Sequence, residues 1–434
     1  MDAATSLAHL PDPPFVRCSF RTGPAAREYP RVVTRIEGMQ TVAAPSNPSE
    51  ADCVSPADEL PRPSRVRRVD NAGLRVMIAG GGTGGHLFPG IALAEEIRAR
   101  GGDVRFVGTE RGIEARVLPE QGWELDFIEA SGIKGRGAMG LLRGLLKLPG
   151  AWWQSRRLIR SFRPDVVLGV GGYASGPLVA TAAMMRIPTA IMEQNSVPGI
   201  TNRILGRMVS RIFCSFEDSG FFPARRALLT GNPIRKQLLT QLTQASEDTA
   251  EHPPRLFVFG GSQGARAINH TVLAAVPMLL QQLPELEIWH QTGKADFEDV
   301  RGGYAGLGLD APKVRVAPFL KDMATPYGWA DLVLCRAGAT TVAELAAVGK
   351  PAVLIPFPFA TDNHQELNAR ALVEGGAAVM QRESEWTVDG LSGLLASLLS
   401  SPSRLAKMRK AMRTAAKPEA AVTIYDEIVR LAQG

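Results

Sequence analysis

Apolar residues in this chain fall into short runs, three of them closed by glycine-rich turns, with stretches of helical spacing between the runs. The first begins at Leu74, where LRVMIAG runs into GGTGGHLFPG and then IALAEEIRARG. Continuous apolar runs of strand length are expected of strands covered on both faces, and an intervening helix supplies the cover. Further runs at VRFVG, DVVLGVGG, PTAIMEQN and RIFCSF, spaced by helical stretches, predict a parallel, doubly wound sheet.

After the GNP turn at Gly231 and a stretch rich in Gln, Thr and Glu, the same opening recurs. RLFVFG is followed by GSQGARAINHTVLAAV, and then come EIWHQTG, KVRVAPF, DLVLCRAG and PAVLIPFP. The pattern predicts an α/β protein of two tandem Rossmann-like domains facing across a cleft, with the join near residues 232–254. Ligand crevices in such sheets lie beyond the carboxyl ends of the strands. The expected division is a first domain over 73–235, a second over 236–415, and a final helix over 416–434 that packs back on the first.

Residues 1–72 break the pattern. They hold 10 of the chain's 31 prolines, nine arginines, no lysine and nine acidic residues, so their net charge is zero. Without apolar periodicity they cannot bury enough surface to offset the entropy of ordering, and a disordered extension is expected. The segment lacks the apolar core of a secretory signal, its acidic residues argue against an organellar transit peptide, and Met39 offers an internal start.

Composition adds little until position is considered. At 434 residues and 45% hydrophobic content the chain can build more than one core. Cys18, Cys53, Cys214 and Cys335 show no CxxC spacing, so neither a zinc site nor a disulfide framework is indicated, and a reducing cytosol fits. No run reaches the length of a membrane-spanning helix.

The net charge of +6 is modest, but the basic residues cluster. Between Glu129 and Asp165 there is no acidic residue, while Lys134, Arg136, Arg143, Lys147, Arg156, Arg157, Arg160 and Arg163 are basic. Leu141, Leu142, Leu145, Leu146, Leu148, Trp152 and Trp153 are interleaved with them. Cations beside leucines and tryptophans suit an interfacial segment docking on anionic lipid. The competing readings are a core-facing leucine stripe and, more remotely, nucleic acid.

Three glycine turns follow predicted strands: GGGTGGH over 80–86, VGGYASGP over 170–177 and FGGSQGAR over 259–266. Glycine lets backbone approach a ligand closely, and a helix start can hold an anion. Dinucleotide binding is disfavoured because GxGxxG is matched only through glycine abundance, and no acidic residue ends the next strand before Glu110. A P-loop fails for want of GK[ST]. A plain tight turn is the remaining alternative, against which stands His86, an imidazole poised for acid or base chemistry.

Beyond the strand DLVLC, Arg336 to Thr341 lead into a helix expected to close at Gly349 and Pro351. Its first amides and hydroxyls suit a pyrophosphate. Glu344, one turn inside, could accept both hydroxyls of a ribose; the bland alternative is a surface glutamate. Asp362, Asn363, His364, Gln365 and Asn368 crowd one polar loop and helix start, suited to sugar hydroxyls or simply to helix capping.

Together GGTGGHLFPG, VGGYASGP, EQNSVPGITNR, GNPIR, GGSQGARAIN and AGATTVAELAAVGKPAVLIPFP resemble, in order and spacing, the MurG family of undecaprenyl-pyrophosphoryl-muramoyl-pentapeptide N-acetylglucosaminyltransferases. The resemblance runs from Arg75 to the C-terminal helix. It implies a GT-B fold of glycosyltransferase family 28, with acceptor bound mainly by the first domain and UDP-N-acetylglucosamine mainly by the second. Carried over by motif, Thr83, Gly84, Gly85 and His86 line the cleft, the first three as UDP-N-acetylglucosamine contacts, and Asn195 faces the donor. Arg235, Ser262, Leu320, the run Ala339, Thr340, Thr341, Val342, Ala343 and Glu344, and Gln365 resemble donor contacts. Tyr173 and Asn202 are assigned to the acceptor side. In the family, the residue matching Glu344 contacts ribose and that matching Gln365 the sugar hydroxyls. The chain departs from the family at Met192, where a histidine often precedes EQN, and at His364-Gln365, where many members carry paired glutamines.

The implied reaction is an inverting transfer to the 4-hydroxyl of the muramoyl sugar, giving UDP, in peptidoglycan synthesis. His86 is the assigned base and Glu193 the second candidate. No DxD follows a predicted strand, so no metal is expected, and no cofactor. The resemblance also implies a peripheral position on the cytoplasmic face of the inner membrane, an anionic membrane surface as partner, and cell-wall synthesis and division proteins as further partners. A related glycolipid transferase and a non-catalytic membrane recruiter are the rival readings. The first is disfavoured by the EQN and GGTGGH motifs, the second because both nucleotide-site halves are intact.

Overall fold

The computed structural model describes residues 73–130, 137–217, 220–244, 252–261 and 264–434, with backbone alone for 137–148 and 242–244. The expected N-terminal extension, 1–72, lies outside the described residues.

The first sheet is built from β1 (Arg75–Gly80), β2 (Asp103–Gly108), β3 (Leu125–Phe127), β4 (Val166–Gly171), β5 (Thr189–Glu193), β6 (Arg211–Cys214) and β7 (Ala227–Leu229). Between them run α1 (Gly84–Ala99), α2 (Glu114–Glu120), α3 (Gly137–Phe162), α4 (Ser175–Met184) and α5 (Ile200–Leu205). After α6 (Lys236–Gln244) the second sheet takes β8 (Arg255–Phe259), β9 (Glu287–Gln291), β10 (Val314–Ala317), β11 (Leu332–Cys335), β12 (Ala352–Leu354) and β13 (Ala378–Met380). Its helices are α7 (Arg266–Gln282), α8 (Phe297–Gly306), α9 (Ala324–Trp329), α10 (Ala339–Val348), α11 (His364–Val373), α12 (Val388–Leu399) and α13 (Pro402–Ala415), followed by α14 (Ala420–Gln433).

The strand orders are β3-β2-β1-β4-β5-β6-β7 and β10-β9-β8-β11-β12-β13, and every pairing is parallel. This is the predicted pair of doubly wound sheets. Alternation along each central strand explains the layering, since successive side chains point to opposite faces. Val76 and Ile78 join the core under α1, whereas Met77 and Ala79 join the core under α3 and α4. In the second sheet Leu256 and Val258 pack toward α7 and α12, while Phe257 and Phe259 pack toward α10.

The C-terminal helix belongs to the first sheet's core. Ile424, Tyr425 and Ile428 of α14 are buried with Leu93 and Ile97 of α1. Around them Arg100 lies 3.4 Å from Asp426, and Arg211 lies 3.4 Å from Glu427.

Winding direction reverses between β1 and β4 in one sheet and between β8 and β11 in the other. A crevice opens at such a switch point because the flanking connections leave on opposite faces. Each of the glycine-rich loops after β1, β4 and β8, and the helix start after β11, therefore sits at a switch point.

Candidate active site

The first switch point is held together by backbone contacts that side chains would block. Gly80 pairs with Gly171 in the sheet, and the Gly81 N–H donates to the Gly171 carbonyl at 3.3 Å. A Cβ on Gly172 would lie 2.4 Å from the Gly81 oxygen, so the loops after β1 and β4 touch main chain to main chain.

Under this junction sits a residue that motif reading passed over. Glu114, at the start of α2, is 1% exposed. Its Oε2 accepts the Gly82 N–H at 2.6 Å, and its Oε1 accepts the Thr109 N–H at 3.0 Å and the Thr109 hydroxyl at 2.9 Å. A Cβ on Gly81 or Gly112 would fall 2.2 Å or less from this carboxylate. The signal available in the sequence was Gly108 and Gly112, six and two residues before Glu114.

His86 stands in the first turn of α1 with its imidazole against Gly171, where a Cβ would lie 2.7 Å from Cδ2. Its Nδ1 is 3.2 Å from the Thr83 hydroxyl. Burial pushes the His86 pKa below its ordinary value, so the ring is a neutral base over a wider pH range. Thr83 and Gly85 are exposed beside it, and Gly84 is half-buried.

Glu193 ends β5 and is 4% exposed. Oε1 accepts from the Asn195 N–H at 3.0 Å and Asn195 Nδ2 at 3.4 Å, while Oε2 accepts from Gly199 N–H at 3.2 Å and Asn202 Nδ2 at 2.9 Å. Burial raises its pKa, with these donors opposing the rise. Both oxygens are thus bound to the local backbone and amides, an arrangement suited to shaping the loop. Asn202, expected on the acceptor side, is itself buried and gives its amide to Glu193 and to the Met192 carbonyl. Tyr173 is 58% exposed on the loop after β4.

The second switch point presents the start of α10. Its N-cap is Gly338, no side chain caps it, and the helix closes at Gly349 with φ of 67°. The first N–H groups of a helix have no intrahelical acceptor, and the dipole adds partial positive charge there. Ala339 and Val342 are buried, while Thr340, Thr341 and Ala343 are half-buried.

One turn in, Glu344 is 7% exposed and held from two sides. The Tyr327 hydroxyl donates to Oε2 at 3.2 Å, and Arg235 Nη2 lies 3.5 Å from Oε1. Burial raises the Glu344 pKa against the opposing pull of Arg235 and Tyr327. Tyr327, fully buried on α9, is another residue that no motif announced.

Of the remaining expected positions, Leu320 gives its N–H to Gln291 Oε1 at 3.1 Å, and Gln291 Nε2 donates to the Gly261 carbonyl at 3.1 Å. Ser262 lies outside the described residues. Gln365 is half-buried, and its Oε1 accepts the Phe357 N–H at 2.9 Å. Asp362 and Asn363, both at φ of 53°, shape the turn before α11.

The two switch points face each other at bonding distance. The Thr340 hydroxyl donates to the Gly85 carbonyl at 3.4 Å, and the Arg235 guanidinium lies 5.4 Å from the Phe88 ring of α1. Arg203 of α5 pairs with Asp362 at 3.5 Å. The His86 loop and the free amides of α10 thus belong to one site.

Family models match both halves: the glycosyltransferase family 28 N-terminal domain over residues 76–214 and the C-terminal domain over 255–424. The chain belongs to glycosyltransferase family 28. Each family-28 match contains one switch point. The chain is 50% identical over 361 residues to a Myxococcus xanthus protein named UDP-N-acetylglucosamine–N-acetylmuramyl-(pentapeptide) pyrophosphoryl-undecaprenol N-acetylglucosamine transferase, covering 82% of this chain and 93% of that protein. A Geobacter metallireducens protein of the same name is 48% identical over 360 residues, covering 82% and 98%. Among solved structures, Acinetobacter baumannii MurG superposes with a TM-score of 0.67 at 34% identity, covering 82% of this chain and 99% of that one. The fold is GT-B, and the family-28 chain is a glycosyltransferase.

The expected membrane segment falls on α3, but Lys134, Arg136 and the side chains of Leu141, Leu142, Arg143, Leu145, Leu146, Lys147 and Leu148 lie outside the described residues. The rest of the helix is two-sided. Ala151, Ser155, Ile159 and Phe162 are buried, while Trp152, Trp153, Arg157 and Arg160 are exposed. Among the described residues no helix is long and apolar enough to cross a membrane.

Proposed function

We propose that this chain transfers N-acetylglucosamine from UDP-N-acetylglucosamine to the 4-hydroxyl of the muramoyl sugar in undecaprenyl-pyrophosphoryl-muramoyl-pentapeptide, releasing UDP. The observation that carries the reading is the meeting of Thr340 with Gly85, which sets the uncapped start of α10 against the loop bearing His86. The names and the identities of the bacterial relatives supply the donor and acceptor.

In this reading the pyrophosphate rests on the first amides of α10 and the Thr340 and Thr341 hydroxyls. Glu344, backed by Tyr327 and Arg235, accepts the ribose hydroxyls, and Leu320 lies toward the base. Gln365 and Asn195 face the sugar, with Thr83, Gly84 and Gly85 opposite, and Val342 and Ala343 continue the donor helix. The acceptor hydroxyl attacks the anomeric carbon as its proton passes to His86. The new C–O bond forms as the bond to the β-phosphate oxygen breaks, and that oxygen keeps the electron pair. Helix amides and Arg235 absorb the developing charge, which is where preorganised donors lower a barrier most.

An acceptor anchored in a bilayer requires an enzyme that works at its surface. The outer face of α3 supports this: Arg156 lies 5.5 Å from the Trp152 ring and Arg157 lies 6.0 Å from the Trp153 ring, giving paired cationic and aromatic groups suited to anionic headgroups. We place the enzyme peripherally on the cytoplasmic face of the inner membrane.

The test is incubation with radiolabelled UDP-N-acetylglucosamine and the lipid-linked muramoyl-pentapeptide, with and without chelator. Label should move to the lipid fraction. UDP release without labelled lipid, or transfer only to a different glycolipid acceptor, would overturn the assignment.

A further inference from the structure

Asn368 lies on α11 in the C-terminal domain and is fully buried. Motif reading grouped it with amides suited to sugar hydroxyls, but its carboxamide is committed elsewhere. Oδ1 accepts both the N–H and the hydroxyl of Ser196 at 2.9 Å. Nδ2 donates to Asn195 Oδ1 and to the Ala337 carbonyl, both at 3.3 Å. A carboxamide offers two lone pairs and two N–H donors, so all four positions are filled.

The partners matter more than the number. Asn195 and Ser196 follow β5 in the N-terminal domain, whereas Ala337 lies two residues before α10 in the C-terminal domain. Asn195 in turn donates to Glu193. A hydrogen-bonded path therefore runs from Glu193 through Asn195 and Asn368 to the approach of the donor helix.

We propose that Asn368 is a positioning residue that latches the 193–196 loop to the start of α10, setting the acceptor side in register with the donor. The inference rests on the transferase reading above. Misplacement of reacting groups by about 1 Å costs on the order of a hundredfold in rate. Loss of the latch should therefore appear in kcat, with UDP binding nearly unchanged.

The experiment is a double-mutant cycle of Asn368→Ala and Ser196→Ala in the full chain, with kcat and donor KM from transfer assays and UDP affinity from calorimetry. Asn368→Ala should lower kcat by roughly 10- to 100-fold while the UDP Kd moves less than about threefold. Ser196→Ala should have little further effect in the Asn368→Ala background, because its hydroxyl has already lost its acceptor. Independent, multiplying losses, or a parallel loss of UDP binding, would overturn the latch.

Should Asn368→Ala not fold, Asn368→Asp supplies the second arm. The aspartate keeps both acceptors for Ser196 but donates to Asn195 only when protonated. Its kcat relative to wild type should fall as rising pH ionises the carboxyl, because Asn195 and Ala337 then face an acceptor where a donor stood, and a folded variant with wild-type kcat at high pH would overturn the proposal. Wild-type transfer reports separately on the function: a wild type that binds UDP without transferring sugar fails that reading. In that event the Ser196–Asn368 coupling is read from unfolding free energies, where its absence defeats the latch.

Discussion

Glu114 accepts the Gly82 N–H at 2.6 Å from beneath the glycine loop that carries Thr83 and His86. The carboxylate also holds both polar groups of Thr109, so its removal takes the acceptor from three donors at once. Hydrogen bonds to a charged group contribute about 1.5–3 kcal/mol each. Glu114→Ala should therefore destabilise the protein by several kcal/mol in chemical unfolding. Glu114→Gln, which keeps one acceptor oxygen, should cost less and still lower kcat by disturbing the loop. UDP affinity measured on folded Glu114→Gln should stay near wild type, since Glu114 makes its contacts with the acceptor-side loops. A fall in UDP affinity as large as the fall in kcat would count against this division of labour.

Gly171 gives a sharper probe of the same loop. Its φ is 96°, a left-handed backbone, and any Cβ would meet the His86 ring. For an ordinary residue that backbone costs about 1–2 kcal/mol, and the clash adds to it. Gly171→Ala should push the imidazole from its place, so kcat should fall strongly while UDP still binds. Normal kcat in a folded Gly171→Ala protein would remove His86 from the reaction as surely as its own replacement would.

Much of this is legible in the sequence alone. The strand runs, the loops at 80–86 and 170–177 and the helix start at Ala339 follow from local periodicity and glycine placement, which a sequence displays directly. What stayed hidden depends on residues far apart in the chain. Glu114 and Tyr327 belong to no motif, and Asn368 reads as a sugar-binding amide, because their partners are brought to them by the fold. Asn202 shows the same limit: its motif pointed toward the acceptor, but its position behind β5 turns its amide onto Glu193.

The effect of replacing His86 on the pH profile separates the two candidate bases. A base works when deprotonated, so the rate should fall as pH drops through its pKa. For His86 burial moves that pKa below 6.5, so the acidic limb of kcat should lie below the ordinary histidine midpoint. For Glu193 burial raises the pKa above 4.5, but four donors already occupy its oxygens. His86→Gln should lower kcat by about 100-fold or more and abolish the limb. If the limb survives that replacement unchanged, the proton goes elsewhere.

Glu344 should set donor affinity. Its carboxylate is oriented by Tyr327 and Arg235, and hydrogen bonds to a charged group contribute about 1.5–3 kcal/mol. Glu344→Gln should raise the UDP Kd and the donor KM by roughly 10- to 100-fold with a smaller change in kcat. Tyr327→Phe should give a weaker effect of the same kind, because Arg235 still faces the carboxylate. A Glu344→Gln enzyme with unchanged donor KM would place the ribose elsewhere.

On α3 Trp152 pairs with Arg156 and Trp153 with Arg157 at i, i+4; Trp153 and Arg157 lie opposite the buried face of Ile159 and Phe162, while exposed Trp152 and half-buried Arg156 lie along its edge. Each arginine near an anionic surface contributes about 1 kcal/mol. Arg156→Gln with Arg157→Gln should thus weaken flotation with anionic vesicles by roughly 30-fold and reduce its salt sensitivity. Trp152→Ser with Trp153→Ser should weaken binding while leaving its salt dependence, since the lost contribution is apolar. Both double variants should retain turnover on a detergent-dispersed acceptor, because none of the four side chains lies at the switch points. Equal loss of turnover in detergent and on vesicles would show that this face supports the fold of the domain, with no part in docking it.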